Sequence, residues 1–427
     1  MSHRFVTALP VLFTVFFCSE WASAATLIVG KPNTGCTGAQ YSTIIDAVNA
    51  ASSGDTIQIC PALYPEQLTL TKPLTLIGTE VNGVQRVLLQ PASMSPSAGL
   101  DGAVGSLPFE AVITVMNTQG VSIQNLAIDA SKNGITGCNT LVAGVHFYNS
   151  SGALRNSAIY GAQTPGCTGD NALVFGNGFG VQIDADQTGR FDVAVDQNSI
   201  HDFTRDGIQV VSPGVTARIN GNAISGAGPG GGVFQFGVFV LNGAVGQVTN
   251  NIIHEGSCGA LSQSDCLNAR SEGVTLRAAG DGTVIDRNTI TTAQSGIFLN
   301  GATNVQVINN VISDIDLLDG IDIQGSASGS FTGGQIVDNT ILNLGPVENE
   351  SCGIFELTAS GVSGNTIAHN TVNDGYCGVA AVAADHVSGG VYYNTLYAEI
   401  NADLPTPPPP VEPSLVSNGT AKAVRPH

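Results

Sequence analysis

The 427-residue sequence is poor in charge, and especially in positive charge. Charged residues make up 11% of it, against about 25% in average globular proteins. Lys and Arg number 14 against 33 Asp and Glu, which leaves a formal net charge of −19. Because nucleic-acid binding needs a clustered basic face, we predict no nucleic-acid partner. The scarcity of Glu, Lys and Arg also disfavours coiled coils and long helical bundles.

Long hydrophobic runs are also scarce. After residue 24 no stretch reaches the roughly 18 apolar residues of a membrane-spanning helix, so we predict no membrane span. Residues 1–24 have the pattern of a secretory signal, with Arg4, an apolar segment at 6–18 and an A-x-A motif at 22–24. A membrane anchor is the alternative. The signal predicts a secreted protein, extracellular or periplasmic, whose mature chain begins at Ala25.

The rest of the chain divides into one repeat-containing domain and a tail. Residues 25–403 contain the repeats described below, and we expect this domain to be a monomer. Residues 404–427 include PTPPPPVEP and lie outside the repeats. Because proline-rich segments adopt extended, non-packing conformations, we predict a disordered linker or stalk there.

Eight cysteines follow the signal, and no two of them form the C-x-x-C pair typical of zinc sites. An even number of cysteines in an exported chain favours disulfide bonds. Buried free thiols are the alternative. The eight are Cys36, Cys60, Cys138, Cys167, Cys258, Cys266, Cys352 and Cys377.

Two short patterns recur along the chain. The first is hydrophobic-x-x-Asn-x-hydrophobic, at Asn198, Asn222, Asn251, Asn288, Asn310, Asn339, Asn370 and Asn394, with variants at Asn125 and Asn156. The second is Gly-[Val/Ile]-x-hydrophobic, beginning at Gly144, Gly180, Gly207, Gly237, Gly273, Gly296 and Gly320, with degenerate copies at Gly353 and Gly378. Successive glycines are 23 to 36 residues apart, a period that indicates a solenoid or a propeller.

The content of each repeat favours an all-β parallel β-helix. The repeats have short β-branched strands and no amphipathic helix, which excludes ankyrin, TPR and HEAT arrays. The leucine-rich pattern is absent, and propeller blades need about 40 residues. In a β-helix, coils stack about 4.8 Å apart. The first and third residues after each glycine would then point inward, and the Asn residues would form an internal ladder at a sharp bend.

The first coils begin with a capping helix. Thr43 and Asp46 have capping-box spacing, and an apolar face follows at Ile44, Ala47, Val48 and Ala51. This helix, the G-D-T-I segment at 54–57 and the Y-P-E step at 64–66 resemble the opening of secreted right-handed parallel β-helix proteins of the pectin-lyase-like superfamily. The resemblance implies that fold over residues 26–400. The catalytic motifs of pectinesterases, polygalacturonases and alginate epimerases are missing, so the resemblance implies no catalytic set.

The repeat register also predicts which cysteines pair. Cys352 and Cys377 each precede a repeat glycine in adjacent coils, which places their Cα atoms about 4.8 Å apart. Cys36–Cys60 would tie the capping helix to the first strand. The pairs Cys138–Cys167 and Cys258–Cys266 fall in insertions between coils.

Outward positions beside the repeat glycines are candidates for contact with a glycan. In β-helices an exposed groove runs along one sheet, and these positions combine amides, carboxylates and rings. Amides and carboxylates bind hydroxyl groups, and rings stack on sugar faces. An ordinary solvated face is the alternative. The candidate substrate-binding residues are His146, Tyr148, Gln182, Asp184, Gln209, Phe239, Arg277, Phe298 and Phe355.

Four carboxylates on the same face are candidates for acid–base chemistry. Glycoside hydrolysis needs two carboxyl groups, about 5 Å or about 6.5–9.5 Å apart. Asp319 and Asp322 share one coil, and Glu272 lies two coils earlier, about 9–10 Å away by the strand spacing. Asp206, next to Arg205, is the other candidate. Capping of turns is the alternative role for each.

Elimination chemistry and a resident cofactor are less favoured. A net charge of −19 repels polyanions unless Ca²⁺ bridges them. Residues 184–189 begin like a Ca²⁺ loop, but Val195 stands where a Glu ligand would be, so we predict no cofactor and keep Ca²⁺ there as the alternative. The five histidines of residues 25–403 lack metal-binding spacing, and we interpret them as structural: His146, His201, His254, His369 and His386.

The sequence therefore predicts a secreted β-helix protein that binds, and cleaves or remodels, a polysaccharide along one exposed sheet. If it is an enzyme, hydrolysis is favoured over elimination or epimerisation. The alternative is a non-catalytic surface, adhesive or structural β-helix.

Overall fold

The computed structural model of the chain describes residues 24–32, 36–81, 84–85, 87–97, 107–136, 139–163, 177–226, 234–254, 271–316, 318–325, 329–345, 351–356, 361–373, 375, 377–381, 385–393, 416–417 and 420–421. The expected signal through residue 23, most of the tail, Asn394, Cys138, Cys167, Cys258 and Cys266 lie outside these ranges. The described residues contain the helix α1 (Ile44–Ala50) and otherwise strands.

In chain order the strands are β1 (Thr26–Val29), β2 (Thr56–Ile59), β3 (Ala62–Tyr64), β4 (Leu68–Leu70), β5 (Thr75–Gly78), β6 (Glu80–Val81), β7 (Val84–Gln85), β8 (Val87–Leu89), β9 (Phe109–Met116), β10 (Val121–Gln124), β11 (Ala127–Asp129), β12 (Leu141–Tyr148), β13 (Gly152–Arg155), β14 (Ala158–Tyr160), β15 (Gly178–Asp184), β16 (Phe191–Asp196), β17 (Ser199–His201), β18 (Asp206–Val211), β19 (Val215–Asn220), β20 (Ala223–Ser225), β21 (Gln235–Leu241), β22 (Val245–Thr249), β23 (Ile252–His254), β24 (Ser271–Arg277), β25 (Val284–Asp286), β26 (Thr289–Thr291), β27 (Ser295–Asn300), β28 (Gln306–Ile308), β29 (Val311–Ile315), β30 (Ile321–Gln324), β31 (Phe331–Thr332), β32 (Gln335–Val337), β33 (Thr340–Leu344), β34 (Cys352–Glu356), β35 (Val362–Ser363), β36 (Thr366–Ala368), β37 (Thr371–Asn373), β38 (Cys377–Ala380), β39 (His386–Ser388), β40 (Val391–Tyr393), β41 (Val416–Ser417) and β42 (Thr420–Ala421).

Nearly all of these strands form three long parallel sheets. The first sheet has the order β1-β2-β5-β10-β13-β16-β19-β22-β25-β28-β32-β36-β39, and the second has the order β3-β8-β11-β14-β17-β20-β23-β26-β29-β33-β37-β40. The third has the order β38-β34-β30-β27-β24-β21-β18-β15-β12-β9-β4. A complete coil contributes one strand to each sheet, so the predicted parallel β-helix is confirmed.

The interior of the coils is apolar, as the repeat pattern predicts. After the seven full-repeat glycines, Gly144 to Gly320, the residues one and three positions on are buried in one continuous core, including Val181, Ile183, Ile297 and Leu299. The glycine itself is needed for close packing. A Cβ atom added at Gly180 would lie 2.4 Å from Ile200 Cγ2 and 2.5 Å from the carbonyl oxygen of Gly207.

The asparagine ladder is confirmed in the described coils. Each buried amide donates to the Oδ1 atom of the next ladder residue at 2.9–3.0 Å, from Asn198 through Asn370. Each also donates to a backbone carbonyl, as Asn222 Nδ2 does to Val195 at 2.8 Å. The ladder therefore satisfies polar groups that the bend between two strands would otherwise leave buried and unpaired.

The left-handed residue at this bend is not the ladder asparagine. It is the residue before it, such as Gln197 with φ 57° and Arg287 with φ 54°. In the variant repeats, Asn125 and Asn156 themselves occupy this left-handed position, with φ 58° and 47°. In the Asn156 coil, the ladder position is taken by Ser157, whose backbone N–H donates to Asn198 Oδ1 at 3.0 Å.

The capping helix forms where the sequence predicts it. Thr43 is the N-cap, and its hydroxyl accepts the N–H of Asp46 at 3.3 Å. The Y-P-E step also caps this helix, because the Glu66 carboxylate accepts the N–H groups of Ile44 at 3.1 Å and Ile45 at 2.9 Å. Three side chains of the helix are buried against the first coils: Ile44, Ala47 and Val48.

Two of the expected disulfide bonds lie within the described residues. Cys36–Cys60 joins Cα atoms 6.1 Å apart, and Cys352–Cys377 joins Cα atoms 4.5 Å apart. Cys352 and Cys377 are register partners in β34 and β38, which confirms the pairing predicted from the repeat period. Within the described residues, no helix is long and apolar enough to cross a membrane.

Candidate functional site

The outer face of the third sheet presents three columns of side chains in register. Column A contains Phe179, Asp206, Phe236, Glu272 and Ser295, and Asp319 continues it on the next coil. Column B contains Thr114, His146, Gln182, Gln209, Phe239, Thr275, Phe298, Asp322 and Phe355. Column C contains Tyr148 and Asp184, then Leu241, Arg277, Asn300 and Gln324. The candidate residues therefore share the face that the repeat pattern predicts.

The exposure of this face differs from the expectation of an open groove. All the candidate residues in columns A and B are buried, and so are Tyr148 and Asp184 in column C. Adjacent side chains pack on one another, as Phe109 does on His146 with ring centroids 4.5 Å apart. Column C opens to solvent toward the carboxyl-terminal coils, where Arg277 is exposed and Asn300 and Gln324 are half-buried.

Near the amino-terminal coils, a histidine and an aspartate form a buried pair. His146 Nε2 lies 2.7 Å from Asp184 Oδ1, and both side chains are fully buried. Gln182 Nε2 donates to Asp184 Oδ2 at 3.4 Å. His146 Nδ1 is also buried and has no hydrogen-bond partner among the described residues. We call His146, Tyr148, Gln182 and Asp184 the amino-terminal cluster.

The segment considered for Ca²⁺ forms several hydrogen bonds with Asn149. Asp186 Oδ1 accepts Asn149 Nδ2 at 2.7 Å, and the N–H groups of Asp186 and Gln187 donate to Asn149 Oδ1 at 3.0 and 3.2 Å. Burial, with a hydrogen bond to Asp186, raises the pKa of Tyr148 to about 12. That hydrogen bond also lowers the pKa of Asp186. Across the described ranges, no three His, Cys, Asp or Glu side chains are grouped to hold a metal ion.

Asp206 lies on the next coil beside a buried arginine. Arg205 Nε is 3.9 Å from Asp206 Oδ2, and the guanidinium carbon lies 4.9 Å from the ring centroid of Phe179. Gln209 Nε2 donates to Asp206 Oδ2 at 2.5 Å. An apolar cluster then separates this coil from the later carboxylates: Val211, Phe236, Phe239 and Leu241. Phe239, expected to stack on sugar, therefore belongs to a packed cluster.

The three consecutive coils that contain strands β24, β27 and β30 then present a regular array of mostly polar side chains. We call it the carboxyl-terminal array, and its nine residues are Glu272, Thr275, Arg277, Ser295, Phe298, Asn300, Asp319, Asp322 and Gln324. Glu272 and Asp319 lie two coils apart in column A, about 9–10 Å by the strand spacing. Thr275 donates its hydroxyl to Glu272 Oε2 at 2.6 Å, and Asp319 Oδ1 accepts the N–H of Cys352 at 2.8 Å.

Asp322 occupies the centre of this array. Its register partners are Phe298 on one coil and Phe355 on the next, and all three side chains are buried. Gln324 Nε2 donates to both carboxylate oxygens of Asp322, at 3.2 and 3.0 Å. These two hydrogen bonds link a half-buried residue of column C to a buried carboxylate. The sequence placed these residues in columns, but it carried no signal for these individual side-chain contacts.

Comparison with known proteins identifies the fold. Residues 179–389 match the family model of the right-handed β-helix region. A crystal structure of the GH136 lacto-N-biosidase from Eubacterium ramulus is similar over 88% of this chain and 68% of its own, with 13% identity and a TM-score of 0.54. The tailspike gp49 of Acinetobacter baumannii bacteriophage Fri1, a capsular polysaccharide depolymerase, is similar over 82% and 58%, with 13% identity and a TM-score of 0.48. A search of curated proteins found no match.

The chain is therefore a right-handed parallel β-helix protein. Its repeats match the right-handed β-helix fold that the resemblance implied. At such low identity the likeness to solved structures concerns the fold alone.

Proposed function

We propose that this protein binds a polysaccharide along the outer face of its third sheet and hydrolyses it at the carboxyl-terminal array. The observation that carries the proposal is the arrangement of three carboxylates, Glu272, Asp319 and Asp322, on alternate coils beside an opening to solvent at Arg277. Two disulfide bonds support an oxidising, extracytoplasmic setting.

The carboxylates would act as an acid–base pair. In inverting glycoside hydrolases, one carboxyl group protonates the leaving oxygen while the other activates water, across about 6.5–9.5 Å. Glu272 and Asp319, two coils apart at about 9–10 Å by the strand spacing, lie at the upper limit of that separation. Asp322 lies three residues from Asp319 on the same coil and is held by Gln324. Asp206 lies beyond the apolar cluster that contains Phe236, so we place it outside the pair.

Column C would bind the sugar. Arg277, Asn300 and Gln324 lie in register on successive coils, so their spacing of about 4.8 Å follows the helix axis. Amide and guanidinium groups bind hydroxyl oxygens. Arg277 is the one cationic side chain among these three residues, and the whole chain has a net charge of −19, so a neutral or weakly charged glycan is favoured.

Incubation with a panel of plant and bacterial polysaccharides tests this proposal. New reducing ends indicate hydrolysis, and ultraviolet absorbance of unsaturated products would indicate elimination instead. With a polysaccharide that gives product, Glu272→Gln and Asp319→Asn should each lower the rate about 10²–10⁴-fold, the usual contribution of a general acid or base. Asp192→Asn, on the exposed first sheet, is the matched control. Unchanged rates in both array variants would exclude this acid–base assignment.

Binding without cleavage is the second candidate function. The observation that favours it is the burial of all three array carboxylates, whereas Arg277 is exposed. It predicts no product from any polysaccharide, together with retention on an affinity gel that Arg277→Ala weakens. A chain that neither releases product nor binds any glycan would contradict both candidates.

A further inference from the structure

A partly exposed column of side chains runs along the outer face of the second sheet. In register, its members are Tyr160, His201, Ser225, His254, Thr291 and Ser313. The rings of Tyr160 and His201 stack with centroids 5.0 Å apart and planes 4° from parallel. One face of the His201 ring is thus covered by Tyr160, and the other faces the coil of Ser225.

At Ser225 the stack lacks a ring. The next large side chain, His254, is two coils from His201, about 9–10 Å by the strand spacing. In the neighbouring column, Ala223 lies beside Ser225, whereas Ile252 beside His254 is 60% exposed. The small residues of this coil therefore form the floor of a trough one coil wide, with His201 on one side and Ile252 and His254 on the other.

The walls of the trough are held in place by hydrogen bonds. His201 Nδ1 lies 2.8 Å from Asp202 Oδ2, and the Asp202 side chain is 59% exposed. His254 Nδ1 lies 3.2 Å from Thr291 Oγ1 on the following coil. The trough therefore combines the His201 ring, whose side chain is 39% exposed, with a carboxylate beside it, a hydroxyl group at its floor and an exposed aliphatic side chain.

We propose that this trough binds one pyranose ring of a glycan. A planar aromatic ring would not fill the gap of about 9–10 Å between His201 and His254. Carbon atoms of stacked groups pack best at about 3.5–4.0 Å, so a flat ring between them would be in close contact with only one wall. A pyranose chair is thicker, with C–H bonds directed to both faces, and its hydroxyl groups can donate to Asp202 and to Ser225. The histidines that the sequence led us to treat as structural then line a sugar subsite.

This subsite is separate from the carboxyl-terminal array, because it lies on a different sheet. Sugar binding in the trough does not require that the carboxyl-terminal array on the third sheet hydrolyse a polysaccharide. Its test therefore succeeds or fails independently of the proposed hydrolysis.

NMR titration of the full chain, with isotope-labelled histidine, tests the proposal. The probes are cellohexaose, mannohexaose, xylohexaose and chitohexaose, and the signals of His201 and His254 are assigned by substitution. At least one probe should shift both signals. Ser225→Leu, which fills the trough, should weaken that binding at least about ten-fold. Ser313→Leu changes the same residue type in the same column, outside the trough, and should bind as the wild type does.

Three outcomes would overturn the subsite. They are no shift with any of the four oligosaccharides, equal affinity in Ser225→Leu and wild type, and shifts produced by indole but by no sugar. Thermal unfolding of each variant checks that the coils remain folded. Arg277→Ala should leave the His201 and His254 shifts intact, and its effect on polysaccharide binding reports on the third sheet alone.

Discussion

Asn251 donates from Nδ2 to Oδ1 of Asn288 at 2.9 Å, although 37 residues separate the two in the chain. The next step of the ladder, from Asn288 to Asn310, spans 22 residues with the same geometry at 3.0 Å. The insertions between coils therefore leave the stacking of the bends unchanged. The ladder therefore keeps successive coils in register.

Removing one ladder amide should destabilise the coils around it. Asn288→Ala leaves the buried N–H of Asn251 and the carbonyl of Val248 without their partners, at a cost of about 1–3 kcal/mol for each buried group. Chemical denaturation measures the loss. Gln247→Ala, an exposed amide on the same coil as Asn251, is the control and should stay within about 0.5 kcal/mol of wild type. Equal stability of the two variants would argue against a structural ladder.

The Cys352–Cys377 bond should stabilise the carboxyl-terminal coils. It closes a loop with a sequence separation of 25, so its removal by a double serine substitution should cost about 3 kcal/mol. Denaturation with and without reductant measures the loss, and reductant should affect the variant less than wild type. A thiol titration of the unfolded, unreduced mature chain should find no free thiol if all eight cysteines pair. Four or more free thiols would refute that framework.

Asp55 should make stability depend on acid pH. Its carboxylate accepts the N–H groups of Ala25 and Ser52, each at 2.7 Å, and these hydrogen bonds lower its pKa below the ordinary value. A group whose pKa is lowered by folding stabilises the native state above its unfolded pKa, and this contribution is lost as pH falls through the folded pKa. Asp55→Asn should therefore lower the Tm at neutral pH, and the difference from wild type should shrink in acid. A difference that is constant with pH would contradict this.

The same contact predicts an effect of signal removal. Cleavage after Ala24 would turn the Ala25 N–H group into an ammonium group 2.7 Å from Asp55 Oδ1, a charge-assisted hydrogen bond. A chain that begins at Ala25 should therefore have a higher Tm than the same chain acetylated at Ala25. The gap should close in Asp55→Asn. A mature chain that mass spectrometry finds to begin elsewhere would remove the premise.

Tyr64 should make stability depend on alkaline pH. Its hydroxyl donates to the carbonyl of Cys60 at 2.9 Å, and burial, helped by Glu66, raises its pKa to about 12. For an acid whose pKa rises on folding, the stabilisation is complete below the unfolded pKa near 10.0 and is lost as pH rises toward 12. Tyr64→Phe should cost about 0.5–1.5 kcal/mol at neutral pH. It should also flatten the fall in stability above pH 10, and an unchanged alkaline slope would contradict the assignment.

The sequence was sufficient for the architecture because that architecture is periodic. The glycine and asparagine repeats determined which residues point inward, which share a column and that Cys352 meets Cys377 in the adjacent coil. The capping helix followed from Thr43, Asp46 and the apolar spacing after them. These inferences depend on the local residue pattern and on the constant spacing between coils. Both follow from the sequence alone, because the repeats set them.

The tertiary structure decided the environment of each position. Strand alternation directs Asp322 and Phe239 outward, but only packing shows that both are buried, one between two phenylalanine rings and the other in an apolar cluster. The pairing of His146 with Asp184 and the stacking of Tyr160 on His201 were likewise invisible in the sequence. Burial and side-chain contacts depend on the neighbours that distant segments bring together, whereas the direction of a side chain depends on its own strand.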